Sequence, residues 1–424
     1  MLQSARVLDL TWVLGGPFGG QLLAQLGAEV IKVEPAGGDP AREIPPHYVG
    51  DLSSFFLSVN RGKKSVALDL KSEAGLTAFY DLVRQSDAVL YGFAPDVPRR
   101  LGIDYERLRE INPAIVVGEL IGIHDDAPYQ RAPAYDLVVQ ALSGVMTITG
   151  APDGEPARVG YQIADLAGGL YLALGVAGAL YSAAKTGRGE KVQVSLLDAQ
   201  LGLLTWQAQN YFISGDEPRA LGSRSPNIAP SEAFRCRDGR YLAVSPTGTS
   251  YWRAFCCAIG SPELADDPRF ADRYSRLTNV EQLAEILRPI FLTRDAADWA
   301  KHFFDLRIPA AQVLTVPEAL DQESAQLRAM VELAEDPVSG ERVRLLGNPV
   351  KYADAQELRY PPRHGADTAD ALADLCGYSA EHIDAVRADS TRSDSSADST
   401  RADSGADSTR ADSTADSTQR EGTA

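Results

Sequence analysis

Asp165 is followed by nineteen residues, Leu166 to Ala184, without one charged side chain. A carboxylate in that setting has two readings. As a helix N-cap, its oxygen would satisfy a free N–H of the first turn. As a nucleophile, it would be held ionised by the positive end of the helix dipole. Wrapped in apolar surface, it would also lose hydration, which raises its pKa and its reactivity together. Such a group can attack a thioester carbonyl and hold the acyl group as a mixed anhydride. The two readings are compatible, since a cap can engage one oxygen and leave the other free.

The apolar run is long enough to span a membrane. Its residues are mostly Gly, Ala and Leu, however, and both flanks read as ordinary soluble sequence. A helix apolar on every side is expected to be a buried central helix, and its small residues would let other elements approach closely.

Phosphate-binding candidates come from the basic residues Arg61, Lys63, Lys64, Lys71, Arg99 and Arg100. His124 sits among acids in a segment that reads as a loop, where polar residues gather for many reasons. Arg158 and Arg224 are candidates for a bidentate hold on a carboxylate.

These groups must be positioned by an α/β framework. Arg6–Leu10 reads as a strand, Gly15–Gly20 as a glycine turn, Gln21–Leu26 as a short helix ended by Gly27, and Glu29–Val33 as a second strand. An acid, Glu34, follows. This approaches the dinucleotide-binding fingerprint, but Pro17 stands where the middle glycine would approach a pyrophosphate, which argues against a nicotinamide cofactor. Strands at 65–70, 88–91 and 115–120 alternate with helices at 73–84, capped by Ser72, and 104–112. That alternation predicts a mostly parallel sheet. Residues 231–244 read as a β-hairpin turning at Asp238-Gly239. Helices near 251–259, 280–292 and 296–306 follow, then a helix near 317–330.

Several spaced motifs together resemble CoA-transferase family III. They are Tyr135-Asp136, Gln140-Ala141, Ser143-Gly144, Thr149-Gly150, Asp165-Leu166, Gly168-Gly169 and Lys185–Glu190. The resemblance runs from about Arg6 to about Asp370. Relatives include formyl-CoA:oxalate and succinyl-CoA:dicarboxylate transferases. The resemblance implies Asp165 as the acyl-accepting nucleophile. It implies CoA contacts at Leu14, Gly15, Leu68, Lys71, Gly92, Phe93, Arg100, Ala134, Tyr135 and Asp136. It further implies a Rossmann-like large domain, a smaller α+β domain and an interlocked, ring-like homodimer. The large domain is expected over 1–215 and 316–386, the small domain over 216–315, and a solvated tail over 387–424.

The chain departs from the family pattern at three places. Leu14 stands where relatives often have glutamine, so any polarisation of the thioester carbonyl must come from backbone amides or other groups. Gly92 stands where many have asparagine, and Asp367 where most have histidine. No glycine-rich closing loop is seen near 222–250; Thr247, Gly248 and Thr249 are the nearest candidates. An α-methylacyl-CoA racemase of the same family would need a histidine at Tyr135, and tyrosine, with a pKa of about 10, is a poor base at neutral pH. The departures also fit a CoA-binding protein without turnover.

A net charge of −17 argues against nucleic acid, which needs a basic surface. The four cysteines form no metal-ligand pattern, and residues Met1–Arg6 show no signal-peptide design, so a cytoplasmic enzyme is expected. Its ligands would be CoA thioesters and carboxylic acids, with no permanently bound cofactor. The final segment repeats Ala-Asp-Ser-Thr-Arg units and has nothing to bury.

Overall fold

The computed structural model describes residues 2–124, 126, 133–353 and 359–388. Most of the low-complexity tail, residues 389–424, lies outside them.

Six strands form one sheet in which every pairing is parallel. They are β1 (Arg6–Asp9), β2 (Glu29–Glu34), β3 (Lys63–Ala67), β4 (Ala88–Tyr91), β5 (Val116–Ile121) and β6 (Lys191–Ser195). Their order across the sheet is β3-β2-β1-β4-β5-β6. This is the doubly wound arrangement, which opens a ligand crevice where the order reverses, outside the carboxyl ends of β1 and β4.

Both faces are covered, because the strands bury residues of either parity. Leu8, Ile31, Val66, Val89 and Val117 pack with α2 (Glu73–Arg84) and with Leu372, Ile383 and Val386 near the end of the chain. Val7, Val30, Leu90 and Val116 pack on the other face with α1 (Gly15–Gln25) and Leu172, Val176 and Leu180 of a long helix, Ile163–Thr186. Ser72 caps α2 as expected, accepting the Gly75 N–H at 3.0 Å.

The long helix departs from the expectation of burial on all sides. It packs against α1 and the sheet along one face, while Leu170, Leu174 and Tyr181 lie exposed on another. Strand β6 has the alternating pattern Lys-Val-Gln-Val-Ser and takes the sheet edge beside β5; the helices Leu196–Leu203 and Thr205–Ser214 follow it.

A second core is built from Trp252, Phe255, Phe291, Trp299 and Phe303, with rings stacked or crossed at 5.4–6.4 Å. The hairpin Glu232–Arg235 and Tyr241–Val244 forms around Gly239, whose φ of 80° suits glycine. Strand Ala310–Gln312 adds a third member. The return segment holds two short helices, Val316–Asp321 and Glu323–Leu327, in place of one, and an antiparallel pair, Val331–Glu335 with Arg342–Leu346.

Candidate active site

Asp165 lies in the first turn of the long helix, labelled α4 (Ile163–Thr186), with α3 (Asp136–Leu142) before it. Asp165 is the third residue of α4 and not its N-cap, which corrects one of the two readings. The cap bond comes from elsewhere in the chain. Asp136 Oδ1 accepts the Ala164 N–H at 2.9 Å, and Asp136 Oδ2 accepts from Gln140 Nε2 at 2.6 Å. Gln140 is fully buried and accepts the Val159 N–H at 2.9 Å. With the Ala164 amide satisfied by Asp136, the Asp165 side chain is not used as a cap: among the described residues its carboxylate accepts no hydrogen bond. Burial, and then the nearby Asp136 charge, push its carboxyl up to about 6.

The glycines of the first helix position this carboxylate. The sequence reading placed Gly15–Gly20 in a turn; they are helical, and α1 starts at Gly15. A Cβ on Gly15 would lie 2.9 Å from the Asp165 carbonyl oxygen, and one on Gly19 would lie 2.9 Å from the Gly169 carbonyl. One on Gly169 would come within 2.3 Å of the Gly15 carbonyl. The two helices thus cross backbone to backbone at the level of Asp165. Gly15 serves this approach, which brings the N-terminus of α1 against the Asp165 backbone.

The segment between β1 and α1 is unusual. Val13 has φ 67°, a left-handed conformation that costs a β-branched residue on the order of 1–3 kcal/mol. Leu14 precedes α1, buried and unable to cap it. Trp12 stands half-exposed at the crevice and meets Phe93 edge to face at 5.8 Å; Phe93 in turn stacks on Tyr91 at 6.0 Å. Trp12 was not among the expected site residues. Its position five residues before Pro17 gave no signal until the strand order placed it at the crevice.

The predicted CoA-facing residues gather along the carboxyl ends of the strands. Leu14 and Gly15 follow β1, Leu68 and Lys71 follow β3, and Gly92 and Phe93 follow β4. A Cβ on Gly92 would sit 3.3 Å from the Leu120 carbonyl, so the asparagine of many relatives would crowd β5. Ala134 fills the space beside Gly122, and Tyr135 points to solvent, 75% exposed, immediately before α3. Leu68 contributes its side chain to the core, which leaves only its backbone to face the crevice. Lys71 is exposed, and Arg100 is exposed beside Asp96 at 3.7 Å.

Other candidates are corrected. Lys63 is no phosphate ligand: it is buried, and its Nζ reaches Asp9 at 2.7 Å, Pro17 O at 2.8 Å and Asn60 Oδ1 at 2.9 Å. Burial lowers its pKa to about 8, against the pull of Asp9. Arg61 is buried against Glu332 at 2.5 Å and tied to the Leu346 carbonyl, and Lys64 pairs with Glu29 at 2.5 Å. Arg224 pairs with Glu232 at 3.3 Å and with Glu281, so it is not a free carboxylate partner. His124 accepts the Asp126 N–H at 3.0 Å within its loop. Asp367 accepts the Ser65 N–H at 2.8 Å and extends the edge of the sheet. Gly248 precedes the helix Thr249–Ala258.

Residues 2–368 match the sequence model of CoA-transferase family III. The chain is 38% identical to acetyl-CoA:oxalate CoA-transferase of Acetobacter aceti, over 84% of this chain and 91% of that one. It is 34% identical to succinate–glutarate CoA-transferase of Agrobacterium fabrum, covering 88% and 95% respectively. Among solved structures, a CaiB/BaiF family protein from Brucella suis superposes with a TM-score of 0.77 at 31% identity, covering 88% of this chain and 99% of that one. With sequence, fold and site geometry in agreement, the chain belongs to CoA-transferase family III and is an enzyme that transfers CoA.

Proposed function

We propose that this enzyme moves CoA from succinyl-CoA to a second dicarboxylic acid, with Asp165 as the covalent carrier. The observation that supports it most is the Asp165 carboxylate, free of hydrogen bonds among the described residues and raised to about 6, on a residue whose backbone meets the start of α1. An aspartate at about 6 is ionised at neutral pH yet stripped of the hydration that dulls a carboxylate in water.

Asp165 attacks the donor thioester carbonyl, and the C–S bond breaks to give an aspartyl–acyl anhydride and CoA thiolate. The thiolate attacks the aspartyl carbonyl and expels the donor acid as its carboxylate. The acceptor carboxylate then attacks the aspartyl-CoA thioester and releases the thiolate, which takes the acceptor acyl group and restores Asp165. One thioester replaces another, so the sequence balances without an external energy source.

Donor and acceptor classes rest on the relatives. Oxalate and glutarate are named for two of them, and succinyl-CoA:mesaconate CoA-transferase of Haloarcula hispanica is 34% identical over 83% of this chain. Arg158 is exposed on the loop before α4 and is the remaining candidate for the distal carboxylate, since Arg224 is occupied. The exposed apolar face of α4, together with Trp206, Phe212 and Ile213, supports the homodimer expected from the family.

The test is a transfer assay. Succinyl-CoA and acetyl-CoA are each mixed with oxalate, glutarate and mesaconate, and CoA esters are identified by mass. New dicarboxyl-CoA from succinyl-CoA is expected; transfer from acetyl-CoA alone would refute the donor assignment.

A further inference from the structure

The residues between β1 and α1 are held from below by buried charges that touch no expected substrate atom. Lys32 and Asp39 are both almost completely buried and pair at 2.7 Å. Lys32 Nζ also donates to the Thr11 carbonyl at 2.8 Å. Asp39 Oδ1 accepts the Val13 N–H at 3.2 Å and the Ala41 N–H at 2.8 Å, and the Asp39 N–H donates to Glu34 at 3.0 Å. From the other side, Asp9 Oδ1 accepts the Thr11 N–H at 3.0 Å and the Thr11 hydroxyl. Thr11 and Val13 are therefore gripped at carbonyl, amide and hydroxyl by groups from β1, β2 and the loop after β2.

What they grip is the left-handed Val13. A valine does not hold that conformation unaided, so the surroundings must impose it. Two residues later, Gly15 starts α1 and meets the Asp165 backbone. The first amides of a helix have no partner inside it and point out of its N-terminus. A rotation at Val13 swings those amides relative to Asp165.

We propose that the buried Lys32–Asp39 pair is a positioning element: it locks Val13 in its left-handed conformation and so fixes the Leu14–Gly15 peptide against the reacting carbonyl at Asp165. This rests on Asp165 carrying the acyl group, as argued above. In this account Lys32 and Asp39 never meet the substrate. Their effect is on the rate of the covalent step and not on CoA affinity.

The decisive variant is Val13→Gly. Glycine accepts φ 67° without strain, so a merely structural role predicts an equal or more stable protein with unchanged kinetics. A positioning role predicts the opposite split, because glycine also frees the segment to leave that conformation. Full-length wild type, Val13→Gly and Asp39→Asn are mixed with succinyl-CoA, and the Asp165–CoA adduct is timed in a single turnover. The CoA dissociation constant is measured in parallel by calorimetry. We expect Val13→Gly to form the adduct roughly ten- to a hundredfold more slowly, with CoA affinity within about twofold of wild type. Asp39→Asn should move the same way; if it does not fold, Val13→Gly decides alone. Adduct formation at the wild-type rate in Val13→Gly overturns the proposal, and so does a loss of rate matched by a loss of CoA affinity. Absence of any adduct in the wild type is a separate result: it removes the Asp165 mechanism, and this proposal falls with it.

Discussion

Asp136 and Asp165 are joined through one backbone amide: the Asp136 carboxylate holds the Ala164 N–H at 2.9 Å, one residue before Asp165. The same Asp136 charge helps to raise the Asp165 pKa, after burial. One residue thus fixes where the carboxylate sits and tunes when it is ionised.

These two effects separate on mutation. In the proposed mechanism attack requires ionised Asp165, so activity should rise with pH through about 6 and level off above it. Asp136→Asn keeps an oxygen for the cap and removes the charge, so the acid limb of the pH–rate profile should move to lower pH. Asp136→Ala removes the cap too and should also cost about 1 kcal/mol of stability. An acid limb unmoved in Asp136→Asn would show that its charge is not felt at Asp165.

Asp165 should weaken the fold it serves. Its folded pKa, about 6, lies above the ordinary carboxylate value in the unfolded chain. The unfolded state therefore ionises first as pH rises, and stability falls between about pH 4 and 6. Above that window the penalty is constant, on the order of 3 kcal/mol. Asp165→Asn should unfold at higher denaturant concentration than wild type at pH 7, and the gap should close at pH 4. Equal stability at pH 7 would contradict the burial of a charged carboxylate.

The helix crossing allows a paired test. Gly169→Ala places a methyl 2.3 Å from the Gly15 carbonyl, whereas Gly178→Ala on the same helix meets nothing within 4 Å. The first should cost about 1–3 kcal/mol and lower kcat, because relief of the clash moves α1 from Asp165. The second should be neutral or stabilising by up to about 1 kcal/mol, from helix propensity. Thermal melts and steady-state rates on both variants decide it.

Lys63 should matter for folding and not for CoA. Lys63→Met leaves Asp9 buried without its nearest cation, a change that typically costs about 3–5 kcal/mol. The folded fraction should bind CoA as wild type does, with unchanged salt dependence. A selective loss of CoA affinity would restore it as a phosphate ligand.

Much of this was legible in the residues. The alternation of strands and helices, the Ser72 cap, the Asp238-Gly239 hairpin and the small-residue run after Asp165 are local signals, and each formed where its pattern pointed. What stayed hidden depends on distant partners. Nothing near Asp165 says that Asp136, twenty-nine residues earlier, supplies its helix cap. Residues 15–20 read as a turn because a helix tolerates so many glycines only where close neighbours need the space: the α4 backbone at Gly15 and Gly19, and the Thr11 and Asp9 side chains at Gly16 and Gly20. Lys63 and Arg61 looked like free cations because their partners Asp9 and Glu332 are 54 and 271 residues away. The left-handed Val13 is invisible in sequence, since valine is the residue least expected to adopt that conformation.

The central claim is covalent transfer through Asp165, and intact-protein mass spectrometry tests it most directly. Wild type mixed with succinyl-CoA and quenched without an acceptor should gain the mass of CoA less water, and peptide mapping should place it on Asp165. Asp165→Asn should remain unmodified and transfer nothing. Turnover by Asp165→Asn, or wild-type turnover with the label on another residue, would contradict the account.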